Sequence, residues 1–510
     1  MRKSWIAGSL WLMAGALAAA PTGGSTCDSL SKLSLPHVTI TGAQEVAAGA
    51  FTPPPAPPGP GQPNPALFKS LPAFCRVTAT LTPSADSDIK IEVWLPSSGW
   101  NNDFQAIGNG GWNGTIGYGP LAEGVKRGFA TAATDTGHEG GSASFAMGHP
   151  EKLTDFAYRA VHEMTVTGKA ITKEFYGATP KYSYWNGCST GGRQGLKEAQ
   201  KFPADYDGIV AGAPANYQTH LHIWSVWLAQ EMNKTPDSYV PPEKLAVLHK
   251  AVLEACDAAD GVKDGLINDP PRCHFDPKTI ECKGADQPTC LNPAQVAAVQ
   301  AIYMGPRDAH GKEIFPTFAP GSELGWGLLA GKEPASVALD SFTYVVYKNP
   351  NWDWRNMNLD SDVTQIEKTY GNLIDATDPN MKAFFAHKGK LLMYHGWNDQ
   401  AIAPGNSVNY YKSVVKNLGG EAKASDNIRL FMAPGMTHCA GGEGPNSFDQ
   451  MTAIQQWVEQ GKAPAVMVAS HADRAGKVDR TRPLCPYPQV AKYKGSGSID
   501  DAANFTCAAP

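Results

Sequence analysis

The stretch Tyr184-Trp185-Asn186-Gly187-Cys188-Ser189-Thr190-Gly191-Gly192-Arg193 restricts what this chain can fold into more than any other. An apolar run, Tyr182 to Trp185, reads as a strand, and Gly192 to Phe202 reads as a helix. Between them lies Gly187-x-Ser189-x-Gly191. In that context the pattern is a nucleophile elbow, a turn so tight that a Cβ at either glycine would strike the neighbouring strand or helix. The turn presents a serine hydroxyl above the end of a sheet. The Thr190 N–H, at the start of the helix, points at negative charge forming nearby. G-x-S-x-G alone is equally a glycine-rich turn with a surface serine, so residues elsewhere must decide.

Sheet patterning later in the chain supplies partners. Leu391 to Tyr394 reads as a strand ending in His395-Gly396-Trp397-Asn398-Asp399. Ile428 to Ala433 reads as the next, followed by Gly435-Met436-Thr437-His438-Cys439. The order Ser189, Asp399, His438 is that of an α/β-hydrolase triad. His395 and Asp449 are rivals. His395 sits too close to its strand, and Asp449 follows the histidine, so both are expected outside the triad. Upstream, the strand Phe104 to Ile107 runs into the loop Gly108-Asn109-Gly110-Gly111-Trp112-Asn113-Gly114. It lacks the Lys-Ser/Thr ending of a phosphate-binding loop and the G-x-G-x-x-G spacing. In an α/β-hydrolase this position supplies the second oxyanion N–H, here from Gly110 or Gly111, beside that of Thr190. His138 is expected to be a structural histidine bonding a neighbouring loop.

A length of 510 residues exceeds one compact core. The strand–helix alternation stops near Tyr217 and resumes near Lys390. The expected organisation is therefore an α/β-hydrolase core at 21–216 and 376–510, interrupted by a lid domain at 217–375 placed to cover the serine. Inside the insertion, Asp257, Asp260 and Asp264 stand three and four residues apart, broken by glycines. Such carboxylates wrap one hard cation such as calcium, or form a solvated acidic turn. Before the core, Arg2 and Lys3 precede an apolar stretch ending in Ala18-Ala19-Ala20, the pattern of a signal peptide over 1–20 and an alternative to a membrane anchor. The mature chain is expected to be secreted or periplasmic, with no membrane contact. Thr52 to Ala66 is proline-rich and expected to be an exposed loop without helix. A net charge of −5, with no long basic run, argues against a nucleic-acid partner.

An exported chain can carry disulfides. Proximity points to Cys282–Cys290, Cys256–Cys273 and Cys485–Cys507, while Cys27 and Cys75 flank the first loop. Cys188 and Cys439 remain, one just before the serine and one just after the histidine. Connectivity itself does not follow from sequence.

Gly187-Cys188-Ser189-Thr190-Gly191-Gly192-Arg193, Asp399 within Gly396-Trp397-Asn398-Asp399, and the His438-Cys439 pair resemble the tannase and feruloyl esterase family, which also contains bacterial mono(2-hydroxyethyl) terephthalate hydrolases. The resemblance spans about residues 27 to 507. It implies an α/β-hydrolase core with a large lid and supports the five pairings above. It also implies a calcium ion in the lid, held by the side chains of Asp257, Asp260 and Asp264 and the carbonyls of Val262 and Leu266. Trp352, Trp354 and Arg355 are candidates for reading the aromatic acid. The expected function is a serine carboxylesterase for aromatic acid esters, hydroxycinnamoyl esters first, with gallate and terephthalate esters as alternatives. An exported serine peptidase and a calcium-stabilised binding protein on an inactive hydrolase scaffold are the competing classes.

Overall fold

Nine strands form one mixed sheet in this computed structural model, which describes residues 24–55 and 64–510. The signal peptide expected at 1–20 and the centre of the proline-rich stretch lie outside the described residues. The strands are β1 (Val38–Val46), β2 (Phe74–Leu81), β3 (Ile89–Pro96), β4 (Asp103–Ile107), β5 (Ala130–Thr134), β6 (Tyr182–Cys188), β7 (Gly208–Gly212), β8 (Lys390–Gly396) and β9 (Ile428–Ala433). Their order is β1-β2-β3-β5-β4-β6-β7-β8-β9. From β5 to β9 the neighbours are parallel; β1, β2 and β3 form an antiparallel edge.

Burial follows that division. Every residue of β4, β5 and β7 is buried, because helices cover both faces of the parallel part. Tyr184, Val210 and Leu392 pack on one face, and Trp185, Ile209, Leu391 and Met393 on the other. This is the two-residue period of a strand. β2 alternates buried and half-buried residues. β1 was not legible in the sequence: it is a bulged edge strand with no fully buried residue, so its apolar period is broken. Pro150 to Tyr176 is one helical run, with a π turn at Asp155–Arg159. The proline-rich stretch departs from expectation at its end. Pro65–Lys69 is a short helix capped by Asn64, because proline at the first helical position needs no N–H partner.

β7 and β8 are hydrogen-bonded neighbours, from Gly208↔Lys390 to Gly212↔Tyr394. The long segment between them therefore leaves the sheet and returns to the same place. It contains the helices Gln218–Met232, Pro242–Cys256 and Pro293–Met304, and isolated bridges in place of extended strands. It gathers its own apolar cluster around Trp224, Phe318, Trp326 and Phe342. Asn292 and Gln295 cap the third helix reciprocally, with Pro293 at its first position. The segment rests on the glycine-rich loop, where Trp112 Nε1 donates to the Val337 carbonyl at 2.9 Å.

The chain ends in two hairpins missed in the sequence, β10 (Met467–Ala472) with β11 (Val478–Leu484), and β12 (Val490–Tyr493) with β13 (Phe505–Ala508). Their outer faces are exposed, which weakens the apolar signal. They brace the insertion: Arg480 donates to the Asp264 carbonyl at 3.0 Å, and Asn268 donates to the Ala491 carbonyl at 2.8 Å. Five disulfides join Cys27–Cys75, Cys188–Cys439, Cys256–Cys273, Cys282–Cys290 and Cys485–Cys507. Among the described residues no helix is long and apolar enough to cross a membrane.

Candidate active site

Ser189 stands at the end of β6 with φ 64° and ψ −123°, a left-handed backbone that side chains rarely adopt. Its N–H donates to the Gly212 carbonyl at 3.0 Å. Its own carbonyl accepts from Ala215 at 3.0 Å and from Arg193 at 3.1 Å. These bonds hold the strained turn. The glycines around it are required by close approach. A Cβ on Gly187 would lie 2.5 Å from the Gly191 carbonyl, and one on Gly108 would lie 2.5 Å from the Gly191 Cα. The glycine-rich loop is thus pressed directly onto the elbow. Asn109 and Gln194 lock that contact: the Asn109 N–H donates to Gln194 Oε1 at 3.0 Å, and Gln194 Nε2 donates to Asn109 Oδ1 at 3.1 Å. The Thr190 hydroxyl donates to the Gly111 carbonyl at 2.9 Å. Gly110, Gly111 and Thr190 therefore meet beside the serine.

Asp399 is fully buried beyond β8. Its Oδ1 accepts the N–H groups of Ala401 and Ile402, both at 2.8 Å. Its Oδ2 lies 2.8 Å from His438 Nδ1 and 3.0 Å from His395 Nε2. His395, expected outside the triad, is the second imidazole on the same carboxylate oxygen. Its Nε2 also faces the Ile402 carbonyl at 3.1 Å, while Nδ1 faces the Ser407 hydroxyl at 2.7 Å. Two acceptors at Nε2 place a proton there, between the Asp399 carboxylate and the Ile402 carbonyl. Proximity along the chain concealed this, because the turn after β8 folds Asp399 back over the strand end.

Burial would push the Asp399 carboxyl up, but His438 and His395 hold it below the usual carboxylate range. Burial would likewise lower the His438 imidazole, but the Asp399 charge and hydrogen bond keep it above its ordinary value. The His438 N–H donates to Gln400 Oε1 at 3.2 Å, which ties the histidine loop to the aspartate loop. The Cys188–Cys439 bond, with Cα atoms 5.9 Å apart, brings the residues next to Ser189 and His438 together. Asp449 lies outside this group. It caps the helix Gln450–Gln460 and pairs with Arg127 at 2.7 Å. His138 is buried with Nε2 against the Trp112 carbonyl at 2.7 Å, and burial lowers its pKa, as suits a structural histidine.

Of the residues singled out for reading the acid, Trp352 stacks on Phe342 with ring centres 4.6 Å apart. Trp354 is buried in the insertion's apolar cluster. Arg355 is exposed and pairs with Asp353 and Glu333. Packing and pairing inside the insertion account for Trp352 and Arg355, while the buried Trp354 Nε1–H has no partner among the described residues.

The acidic loop has the donor chemistry of a hard-cation site. Asp257 accepts the N–H groups of Asp264 and Gly265, both at 3.0 Å, and Asp260 accepts that of Val262 at 2.9 Å. Each carboxylate oxygen retains a second lone pair. Asp260, Asp264, Leu266 and Asn268 share one small pocket with Arg482, which pairs with Asp264. Three carboxylates against Arg482 and Arg480, the latter also paired with Asp500, leave negative charge uncompensated. The Val262 and Leu266 carbonyls accept no hydrogen bond from the described backbone. An all-oxygen set of this kind fits calcium.

Residues 75–508 match the family model for tannase and feruloyl esterase. The chain belongs to that family. This member is a carboxylic ester hydrolase. It is 37% identical to an uncharacterized esterase of Xanthomonas campestris pv. campestris, over 97% of this chain and 93% of the relative. It is 36% identical to a probable feruloyl esterase B of Aspergillus clavatus, over 98% of both chains. Its fold superposes on the crystal structure of feruloyl esterase B from Aspergillus oryzae with a TM-score of 0.88 and 32% identity, covering 94% of this esterase and 99% of that chain. The tannin acyl hydrolase of Aspergillus niger, at 24% identity and a TM-score of 0.73, covering 93% of this chain and 92% of its own, shares the fold.

Proposed function

We propose that this esterase is a secreted serine carboxylesterase for aromatic acid esters, foremost hydroxycinnamoyl esters such as ferulates, with Ser189, His438 and Asp399 as its triad. The observation that carries the reading is the buried Asp399 bonded to His438, with Cys439 beside that histidine bridged to Cys188 beside Ser189. His438 takes the Ser189 proton as the hydroxyl attacks the ester carbonyl, then returns it to the leaving alcohol. Asp399 holds the imidazole with its proton on Nδ1 and stabilises the imidazolium. The N–H groups of Thr190 and of Gly110 or Gly111 stabilise the oxyanion. Water then releases the aromatic acid from the acyl-enzyme by the same steps in reverse. Residues 217–375 act as a lid over this site.

The substrate class rests on the feruloyl esterase relatives. The test is a kcat/KM comparison on methyl ferulate, methyl gallate and mono(2-hydroxyethyl) terephthalate. Ferulate is expected to lead. A preference for either other ester reassigns the acid, and no turnover of any of them defeats the proposal.

The pH dependence follows from the charge on Asp399. Protonated His438 cannot accept the serine proton, and its pKa lies above the ordinary imidazole value of 6.5. Activity is therefore expected to fall with decreasing pH along a limb centred above that value. Asp399→Asn removes the charge that holds the proton, so the limb moves to lower pH while the maximum falls. A kcat/KM–pH profile whose limb does not move in the variant contradicts the coupling.

Calcium is proposed at Asp257, Asp260 and Asp264 with the Val262 and Leu266 carbonyls. When bound, it neutralises the loop's carboxylates and steadies the lid segment. Chelation is expected to lower the melting temperature by several degrees, and added calcium to restore it, as a ligand specific to the native state does. Elemental analysis without calcium, together with an unchanged melting curve, would refute the site. Export is supported by the Arg2-Lys3 and apolar start and by five disulfides, which persist in oxidising compartments.

A further inference from the structure

A separate cluster of ligating side chains lies along the elbow helix. Glu198 is on that helix, Thr190–Lys201, about 13 Å along the axis from Ser189 at 1.5 Å per residue. His162 is on the helix Ala160–Tyr176, and Asp205 is in the turn that leads to β7. One ligand atom from each lies within 4.8 Å of those of the other two. His162 Nδ1 and Asp205 Oδ2 are 2.7 Å apart, and Phe202 stacks on the imidazole at 3.7 Å and fixes its plane.

Glu198 makes the cluster more than an acidic turn. It is 1% exposed, neither carboxylate oxygen accepts a hydrogen bond among the described residues, and the Asp205 carboxylate stands against it. Of the nearby donors, Lys169 bonds the Asp205 main-chain carbonyl and reaches Glu198 only through its charge, and the Tyr206 hydroxyl bonds Thr165. A buried carboxylate without donors costs several kcal/mol unless something positive meets it. His162 and Asp205 keep 27% and 17% of their side chains exposed, so the cluster is open to an ion from solvent.

We propose that His162, Glu198 and Asp205 form a binding site for a divalent transition cation of the zinc type, distinct from the all-oxygen loop in the lid. One imidazole nitrogen with two carboxylates selects zinc over calcium, and three protein ligands leave one position for water. At metal–ligand lengths of about 2.0–2.2 Å, tetrahedral ligands stand about 3.4 Å apart. The His162–Asp205 pair has only to open by less than about 1 Å to admit the ion. The cation would staple the elbow helix to its neighbour and to the turn before β7. A proton on Glu198 is the competing way to satisfy the same atoms.

The test uses the tag-free full mature chain, stripped with chelator and resupplied with saturating calcium so that the lid loop is filled. Zinc chloride is titrated in competition with a chromophoric chelator, and melting temperature is recorded in parallel. The expected result is one zinc per chain and a higher melting temperature. His162→Ala and Glu198→Gln should each weaken binding by about a hundredfold or more, with Asp260→Asn leaving it unchanged. Absence of stoichiometric zinc, or wild-type affinity in both cluster variants, overturns the proposal. So does a Glu198→Gln protein that melts higher than wild type while the wild type ignores zinc, which assigns the site to a proton. Should Glu198→Gln fail to fold, His162→Ala, at a partly exposed side chain, decides alone.

Discussion

Ser189→Ala is expected to lower kcat/KM for ester hydrolysis by about 10⁵- to 10⁶-fold, the range seen when a triad loses its nucleophile. The fold should survive. The Ser189 side chain makes no capping bond to the helix it precedes, so alanine removes no hydrogen bond there. Both residues also carry the same Cβ in the same strained backbone, and the bonds from Gly212, Ala215 and Arg193 are main-chain bonds that alanine keeps. The measurement is kcat/KM on the preferred ester beside a thermal melt. Turnover above about 1% of wild type, in a preparation free of contaminating esterase, would remove Ser189 from its role; an unfolded variant would show instead that the elbow depends on the hydroxyl.

Replacing Cys188 and Cys439 together by alanine is expected to have the second-largest effect, and on two quantities at once. The bond closes a separation of 251 residues, which the chain-entropy model values at about 5 kcal/mol. It also joins the residues adjacent to the proposed nucleophile and base, where a displacement of about 1 Å costs roughly a hundredfold in rate. The double variant should thus melt lower and, at temperatures where it remains folded, show kcat/KM reduced by about a hundredfold. The control is the double alanine variant of Cys282 and Cys290, eight residues apart, worth about 2.5 kcal/mol in the same model. It should lose stability but little activity. If both variants keep full activity when folded, the central bond is a stabiliser and not a positioning device. Changing both cysteines, not one, avoids leaving a thiol beside Ser189.

The elbow was legible in the sequence because its demands are local. A strand, two glycines and a helix start are contiguous, and the clash that excludes a Cβ at Gly187 lies four residues away at Gly191. The order of Ser189, Asp399 and His438 and the loss of strand patterning after Tyr217 were legible for the same reason: each is a pattern along the chain. So was the acidic spacing around Asp260. Gly108 was legible only as part of a loop. That it touches the Gly191 Cα, and that Asn109 and Gln194 clasp each other across 85 residues, follows from β4 lying beside β6 in the sheet. β1 and the terminal hairpins were missed because half-exposed strands carry little apolar period.

By itself, then, the sequence determined the strands with a clear apolar period, the glycine-bounded turn at Ser189 and the residue types placed at the strand ends, since these depend on neighbours within a few positions. The tertiary structure decided how those residues are held. It placed His395 on the same Asp399 oxygen as His438, turned Trp352 and Arg355 into packing and pairing of the insertion, and left Glu198 buried without a donor beside His162 and Asp205. The physical reason is that burial and electrostatics are sums over groups brought together from distant parts of the chain, and only the folded sheet fixes which groups those are.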